Sequence, residues 1–292
     1  MTDLLQLLIA GLATGAIYAL VAVGFTLLWQ TSQTINFAQG EFVMLPAFFV
    51  LAAMKFGGLS FPLAALAGVA LTVLVLGVMF KKLLVDPMLR HGVLPLVIST
   101  IALAIFLKEG VKEFYAADAQ PFPALWATVN LNVAGAAVSL QNLVIIGVAV
   151  IAVGTLQWFL AGTRTGRSMQ ATAQNPELAR ILGVPVERMI LYTFLINALL
   201  VALASLLISP IYLAKFSNGE TLGIAAFVAA IVGGFNQVRG AIAGGVLLGV
   251  VDNLAAVYLS AQYRSAIPLF ILIAVILFRP QGLLGRAEER TV

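Results

Sequence analysis

LLQLLIAGLATGAIYALVAVGFTLL, residues 4–28, runs for 25 positions without an Asp, Glu, Lys or Arg. As a helix it would extend about 37 Å, more than the ~30 Å hydrocarbon core of a bilayer. Working outward, three further charge-free stretches are long enough to do the same: Phe61 to Phe80, Leu140 to Ala161 and Met189 to Pro210. A fifth, Thr221 to Val238, is interrupted by a loop-like sequence, and shorter apolar runs occupy Phe42–Met54, Val93–Leu107, Gly240–Val251 and Ser265–Phe278. None alternates as a strand would, and Gly, Ala and Leu dominate them. Backbone groups in lipid must be satisfied internally, so helices are preferred over a β-barrel. The expected fold class is all-α: a polytopic helical bundle of eight or nine spans forming a single domain over residues 1–292.

Composition agrees. The 292 residues are 62% hydrophobic and 10% charged, against about 25% charged in soluble domains. The absence of Cys excludes disulfides and thiol chemistry, and the single His91 excludes a His-cluster metal site. No cofactor is expected. Met1-Thr2-Asp3 lacks a basic cluster and no small-residue cleavage site follows, so the first span is expected to be retained. A net charge of +4 is read as membrane orientation rather than nucleic-acid binding.

With nine passes, the connecting segments alternate sides. One set holds Lys81, Lys82, Arg90, Arg164, Arg167, Arg180, Arg188, Arg239, Arg279, Arg286 and Arg290; the other holds Lys55, Lys108, Lys112, Lys215 and Arg264. The positive-inside rule puts the first set in the cytoplasm, hence N-terminus out and C-terminus in. Residues Thr221–Phe235 would span only about 22 Å as a helix, so eight spans plus a re-entrant element is the alternative.

Two segments look like broken helices. Ser32-Gln33-Thr34-Ile35-Asn36-Phe37-Ala38-Gln39-Gly40-Glu41 is too polar to face lipid yet carries no Lys or Arg, and Gly233-Gly234-Phe235-Asn236-Gln237-Val238-Arg239-Gly240 mixes glycines with amides. Irregular backbone at membrane depth needs protein or a water-filled cavity around it. Short exposed turns are the alternative at both sites.

The longest cytoplasmic segment, Gly162 to Arg188, reads as two short helices at the membrane surface. An amphipathic stretch, Thr163 to Gln174, is followed by Asn175-Pro176-Glu177, an N-cap with Pro at the first helical position and an acid in the first turn. Gly183 would stop this second helix after Leu182.

This segment carries a resemblance. Gly166-Arg167-Ser168-Met169-Gln170-Ala171-Thr172-Ala173-Gln174-Asn175, followed by Ala179-Arg180-Ile181-Leu182-Gly183-Val184, resembles the cytoplasmic motif of branched-chain amino acid ABC permeases, the LivH-type family. Residues Gly15–Leu27 and Ile35–Glu41 are similar to its amino-terminal signature. Residues Ala226–Gly234 and Gly240–Gly249 resemble its carboxy-terminal one, and the tail Arg279–Arg286 fits as well. Gln39 stands where the family often has His, Asp252 where Glu is usual, and Asn236-Gln237-Val238-Arg239 replaces a more Gly/Ser-rich turn; Ala225 sits where a basic residue is common.

The resemblance implies an inner-membrane permease subunit of an ATP-driven importer for branched-chain or related amino acids. Its implied partners are a permease subunit, paralogous or identical, two cytoplasmic ATPase subunits and a periplasmic solute-binding protein. Urea or short-chain amides are the alternative cargo. No Gly-x-x-x-x-Gly-Lys-Ser/Thr phosphate loop occurs, so ATP hydrolysis is assigned to another subunit. An ion-coupled secondary transporter is the rival class, with Glu41, Asp252 and the Lys108-Glu109-x-x-Lys112-Glu113 cluster as its ionisable candidates. An intramembrane enzyme lacks the paired Asp, Ser/His or metal-binding motifs it would need.

Within this frame the solute path is expected to be lined by Asn36, Phe37, Gln39, Gly40, Glu41, Gly233, Gly234, Phe235, Asn236 and Asp252. The two broken segments would meet, with Phe37 and Phe235 as apolar gates. The competing expectation is that Glu41 and Asp252 only hydrogen-bond between helices. For ATPase coupling the candidates are Thr165, Gly166, Arg167, Ala171, Ala173, Glu177, Arg180 and Gly183, the small residues permitting close approach and the arginines offering charge-assisted contacts.

Overall fold

A computed structural model describes residues 2–115, 118–124, 129–133, 136–259 and 266–285. Arg264, Arg286 and Arg290, which enter the charge comparison, lie outside the described residues. The helices are α1 (Thr2–Ser32), α2 (Gln39–Lys55), α3 (Phe61–Thr72), α4 (Asp86–Leu89), α5 (Val93–Tyr115) and α6 (Leu140–Gly162). They continue as α7 (Arg164–Gln174), α8 (Pro176–Ile181), α9 (Val186–Tyr212), α10 (Asn218–Gly233), α11 (Val238–Tyr258) and α12 (Ile267–Phe278). A π-helical stretch, Val73–Val85, joins α3 to α4.

Each expected pass contains a helix. Among the described residues six are long and apolar enough to cross a membrane: Asp3–Ser32, Phe61–Leu89, Val93–Tyr115, Leu140–Gly162, Val186–Tyr212 and Val238–Tyr258. The other three, α2, α10 and α12, are shorter, at 17, 16 and 12 residues.

Helices outrun the apolar runs into segments where a loop was expected, and furthest where charged residues are paired. The third pass continues through Lys81 and Lys82 to Leu89, because Lys81 is neutralised in place: its ammonium bonds Asp86 at 2.8 Å and lies 3.6 Å from Glu187. Likewise α5 continues past Lys108 to Tyr115, with Lys112 paired to Glu109 and Lys108 to Glu220. Outside the helices, a two-stranded antiparallel hairpin, β1 (Asn130–Val133) and β2 (Ala136–Ser139), occupies the segment before α6.

The chain forms two compact units. The first, Met1–Thr26, Trp126–Val150 and Ile224–Val292, is organised by α1 against α11. A Cβ on Gly11 would lie 2.9 Å from the Val250 Cα and one on Gly15 2.8 Å from the Val246 Cα, so the two backbones touch where Gly permits it. Gly245 against Ala19 and Gly249 against Gly15 continue the seam. The second unit, Leu27–Leu125 and Ile151–Gly223, packs α2, the third pass and α9 around Phe80, whose ring meets Phe42 edge-on at 4.8 Å and Phe194 at 5.8 Å. Pro46 inside α2 is accommodated beside Ala47, whose N–H donates to Ser205 Oγ of α9 at 3.1 Å.

Candidate functional site

In the second unit the chain breaks between α1 and α2. Gln33, at φ +52°, ends α1 in the left-handed region, and its N–H still donates to Trp29 O. Asn36 Oδ1 then accepts from Ala38 N at 3.0 Å, turning the chain into α2 at Gln39. Gln39 and Asn197 form a reciprocal amide pair: Gln39 Nε2 donates to Asn197 Oδ1 at 2.6 Å and Asn197 Nδ2 donates to Gln39 Oε1 at 3.0 Å. Asn36 Nδ2 adds a longer bond to Gln39 Oε1 at 3.4 Å. Both members of the pair are fully buried.

Asn197 lies 11 residues into the 27 of α9, about 16 Å along a helix of about 40 Å. The start of α2 therefore sits near the middle of α9, not at its end. One step on, Gly40 abuts the first turn of α10: a Cβ on Gly223 would lie 2.7 Å from the Gly40 Cα. Glu41 is also buried, and its Oε2 has no hydrogen-bond partner among the described residues. Phe37 is the exposed member of the group at 46%. Behind the break is a small pocket lined by the polar groups of Ser32, Thr34, Asn36 and Thr100 and by the rings of Phe80 and Phe194.

The remaining path candidates lie in the first unit. Helices α10 and α11 form an antiparallel hairpin closed at glycines, with Gly233 against Gly240 and Gly244 against Ala229 and Gly233. Gly234, at φ +112°, makes the turn, a conformation costly for any other residue. The tail after α12 seals this end, Leu283 N donating to Val232 O at 2.8 Å and Leu284 N to Gly233 O at 3.0 Å. The Phe235 ring lies 5.9 Å from Phe227, and Asn236 is exposed at the turn. Asp252 is buried within α11 and accepts a hydrogen bond from the Tyr18 hydroxyl of α1 at 3.1 Å. It stands 14 residues beyond the start of α11, about 21 Å along the axis. Within the second unit Asn36, Gln39 and Glu41 are thus brought together, and within the first Asn236 and Asp252 lie well apart along the chain's course through α11.

The segment between α6 and α9 contains the two short helices expected. Thr163 Oγ1 accepts from Gly166 N at 2.9 Å to cap α7, and Asn175 Oδ1 accepts from Leu178 N at 2.9 Å to cap α8. Gly183, at φ +82°, follows the C-cap Leu182. Gly166 is buried against the backbone of Phe159 and Leu160, so its small size serves contact within the chain. Thr165, Ala171 and Ala173 are half-buried, and Arg167, Glu177, Arg180 and Gly183 are exposed.

Sequence reasoning passed over several residues. Asn197 was the one amide in an otherwise apolar span, Met189 to Pro210, and that isolation was a usable signal. Tyr18 as the partner of Asp252, 234 positions away, gave none. Leu178, Ile181 and Leu182, exposed at 52%, 81% and 73%, form an apolar face on α8 that attention to small residues missed.

Helices long and apolar enough to cross a membrane, with polar side chains gathered at a helix break, define a multi-pass membrane protein. The chain belongs to the branched-chain amino acid transport system / permease component family, whose model matches residues 7–276. It is 34% identical to the high-affinity branched-chain amino acid transport system permease protein BraD of Pseudomonas aeruginosa, over 99% of this chain and 98% of that protein. It is 31% identical to LivH of Salmonella typhimurium, over 99% and 97%, and 26% identical to a probable LivH of Methanocaldococcus jannaschii, over 91% and 88%. Among solved structures, PsaBC from Streptococcus pneumoniae in complex with Fab aligns with a TM-score of 0.50 at 14% identity, covering 93% of this chain and 91% of that one. At that identity the likeness concerns the fold alone.

Proposed function

We propose that the chain is one translocation subunit of an ATP-driven importer for branched-chain or related amino acids. It sits in the inner membrane with its N-terminus out and C-terminus in, pairs with a second permease subunit, and receives solute from a periplasmic binding protein. Two cytoplasmic ATPase subunits supply the energy. The observation that carries this reading is the near full-length relationship to proteins described as high-affinity branched-chain amino acid permeases. The helix break with its polar cluster near mid-helix depth supports it, since amides and carboxylates facing lipid are expensive.

Within this reading Asn36, Phe37, Gln39, Gly40 and Glu41 line one part of the solute path, and Gly233, Gly234, Phe235, Asn236 and Asp252 another. The ATPase grips the 162–188 segment through Arg167, Glu177, Arg180 and Gly183, with Thr165, Gly166, Ala171 and Ala173 shaping the helices beneath. The exposed Leu178, Ile181 and Leu182 supply the apolar centre of that contact.

The test is reconstitution of the chain with its neighbouring permease, ATPase and binding proteins in liposomes. Uptake of labelled leucine, isoleucine and valine is then compared with that of urea and short amides. The expected result is ATP-dependent uptake of the amino acids and co-purification of the ATPase with this chain. Uptake that follows an ion gradient and ignores ATP would overturn the assignment, and preference for urea or amides would replace the cargo.

A further inference from the structure

Glu41 stands in an unusual place. It is 94% buried, since only 6% of it is exposed, and its Oε2 has no hydrogen-bond partner among the described residues. The carboxylate lies directly over Gly219, where a Cβ would collide with Oε2. Gly219 belongs to the first turn of α10, a helix of 16 residues whose leading N–H groups have no partners within the helix itself. The neighbouring cation, Lys108, is hydrogen-bonded to Glu220, the residue after Gly219, at 2.7 Å, and acts on Glu41 only through space.

Position sharpens the problem. Glu41 follows Gln39 by two residues, and Gln39 is held to Asn197 close to the middle of α9. A carboxylate at that depth with an oxygen that no donor meets costs several kcal/mol unless something cationic visits it. Other polar groups of the break are already satisfied. Gln39 is consumed by Asn197, and Asn36 by Ala38 and Gln39. Glu41 is therefore the member of the cluster with bonding capacity left over.

We propose that Glu41, set against the first turn of α10, is a docking point for the ammonium group of a zwitterionic solute in transit. In that turn Asn218 N and Thr221 N donate to Lys215 O and Ser217 O, which leaves the N–H groups of Gly219 and Glu220 for the solute carboxylate. Such a site reads the charged end common to all amino acids. It also separates the two candidate cargos, because urea and neutral amides have no ammonium to offer. This inference rests on the reading of the helix break as part of the solute path.

The experiment uses the full transporter reconstituted in nanodiscs, wild type and Glu41→Gln, with melting temperature measured against three probes at millimolar concentration. L-leucine carries both charged groups, L-leucinamide keeps only the ammonium, and 4-methylpentanoate keeps only the carboxylate. Expected are upward shifts in the wild type with leucine and leucinamide, a smaller or absent shift with 4-methylpentanoate, and loss of the first two shifts in Glu41→Gln. In liposomes the same variant should lower leucine uptake by about tenfold or more, the scale of one lost charge-assisted hydrogen bond. Glu41→Asp, which keeps the charge on a shorter stem, should retain part of the uptake.

Because Gln is nearly isosteric and neutral, the ligand-free variant should melt no lower than the wild type. A lower melting point would make Glu41 a structural anchor and overturn the proposal. So would unchanged leucine shifts in the variant, or equal shifts with 4-methylpentanoate in the wild type. If the wild type takes up leucine with ATP but shows no leucinamide shift, the ammonium site fails and the transport assignment stands. If it takes up only neutral cargo, both fail.

Discussion

Replacing Asn197 with Leu removes one half of the amide pair that pins the helix break to α9. Two bonds are lost, at 2.6 and 3.0 Å, and Gln39 is left buried with its donor unmet and its acceptor held only by the 3.4 Å bond from Asn36. Interhelical hydrogen bonds in membranes contribute about 0.6 kcal/mol on average and up to about 1.7, so two of them are worth about 1 to 3 kcal/mol. The unmet amide pushes the single variants Asn197→Leu and Gln39→Leu toward the upper end of that range. The double variant removes both partners and the penalty with them, so it should lose clearly less than the sum. A coupling energy of about 1 to 2 kcal/mol is expected from the double-mutant cycle. Unfolding of the purified chain in mixed micelles, titrated with SDS and followed by tryptophan fluorescence, reads all four proteins on one scale. If the double variant loses the sum of the singles to within about 0.5 kcal/mol, the pair is not interacting and the pinning role is refuted.

Three further expectations concern other parts of the chain. Ile181→Asp on the exposed face of α8 should abolish co-purification of the ATPase with no change in melting temperature, whereas Gly166→Trp, forced into the Phe159–Leu160 backbone, should lower folded yield; a stable Gly166→Trp chain would contradict the packing. Asp86→Ala strips buried Lys81 of its 2.8 Å partner and leaves only Glu187 at 3.6 Å, a cost approaching about 3 kcal/mol, while Lys81→Met should be near neutral; equal losses in SDS unfolding would count against it. A reporter active only in the cytoplasm should be silent at Met1 and active at Val292, and the reverse pattern would overturn the orientation.

The amino-acid sequence by itself determined the solvent and the class of this protein. Charge-free runs such as residues 4–28 have one stable arrangement in lipid, and each of the nine expected passes contains a helix because backbone satisfaction is local to a helix. The cap of α8 was equally legible, since Asn175 acts on the amide of Leu178 three residues away. Where the helices end was less so: Lys81 looked like a loop residue until Asp86 and Glu187 neutralised it.

Only the tertiary structure decided which polar groups have partners. Gln39 and Asn197 are 158 positions apart and Tyr18 and Asp252 are 234 apart, so nothing local couples them. The same holds for Gly166, whose motif suggested contact with a partner protein but whose nearest atoms belong to Phe159 and Leu160. Glu41 and Gln39 are near neighbours in one polar stretch and equally suspect as sequence, yet one is bonded on both sides and the other has an open oxygen. The reason is physical: a helix fixes its own backbone bonds, while the fate of a buried side chain depends on which residue of another helix crosses it at that depth.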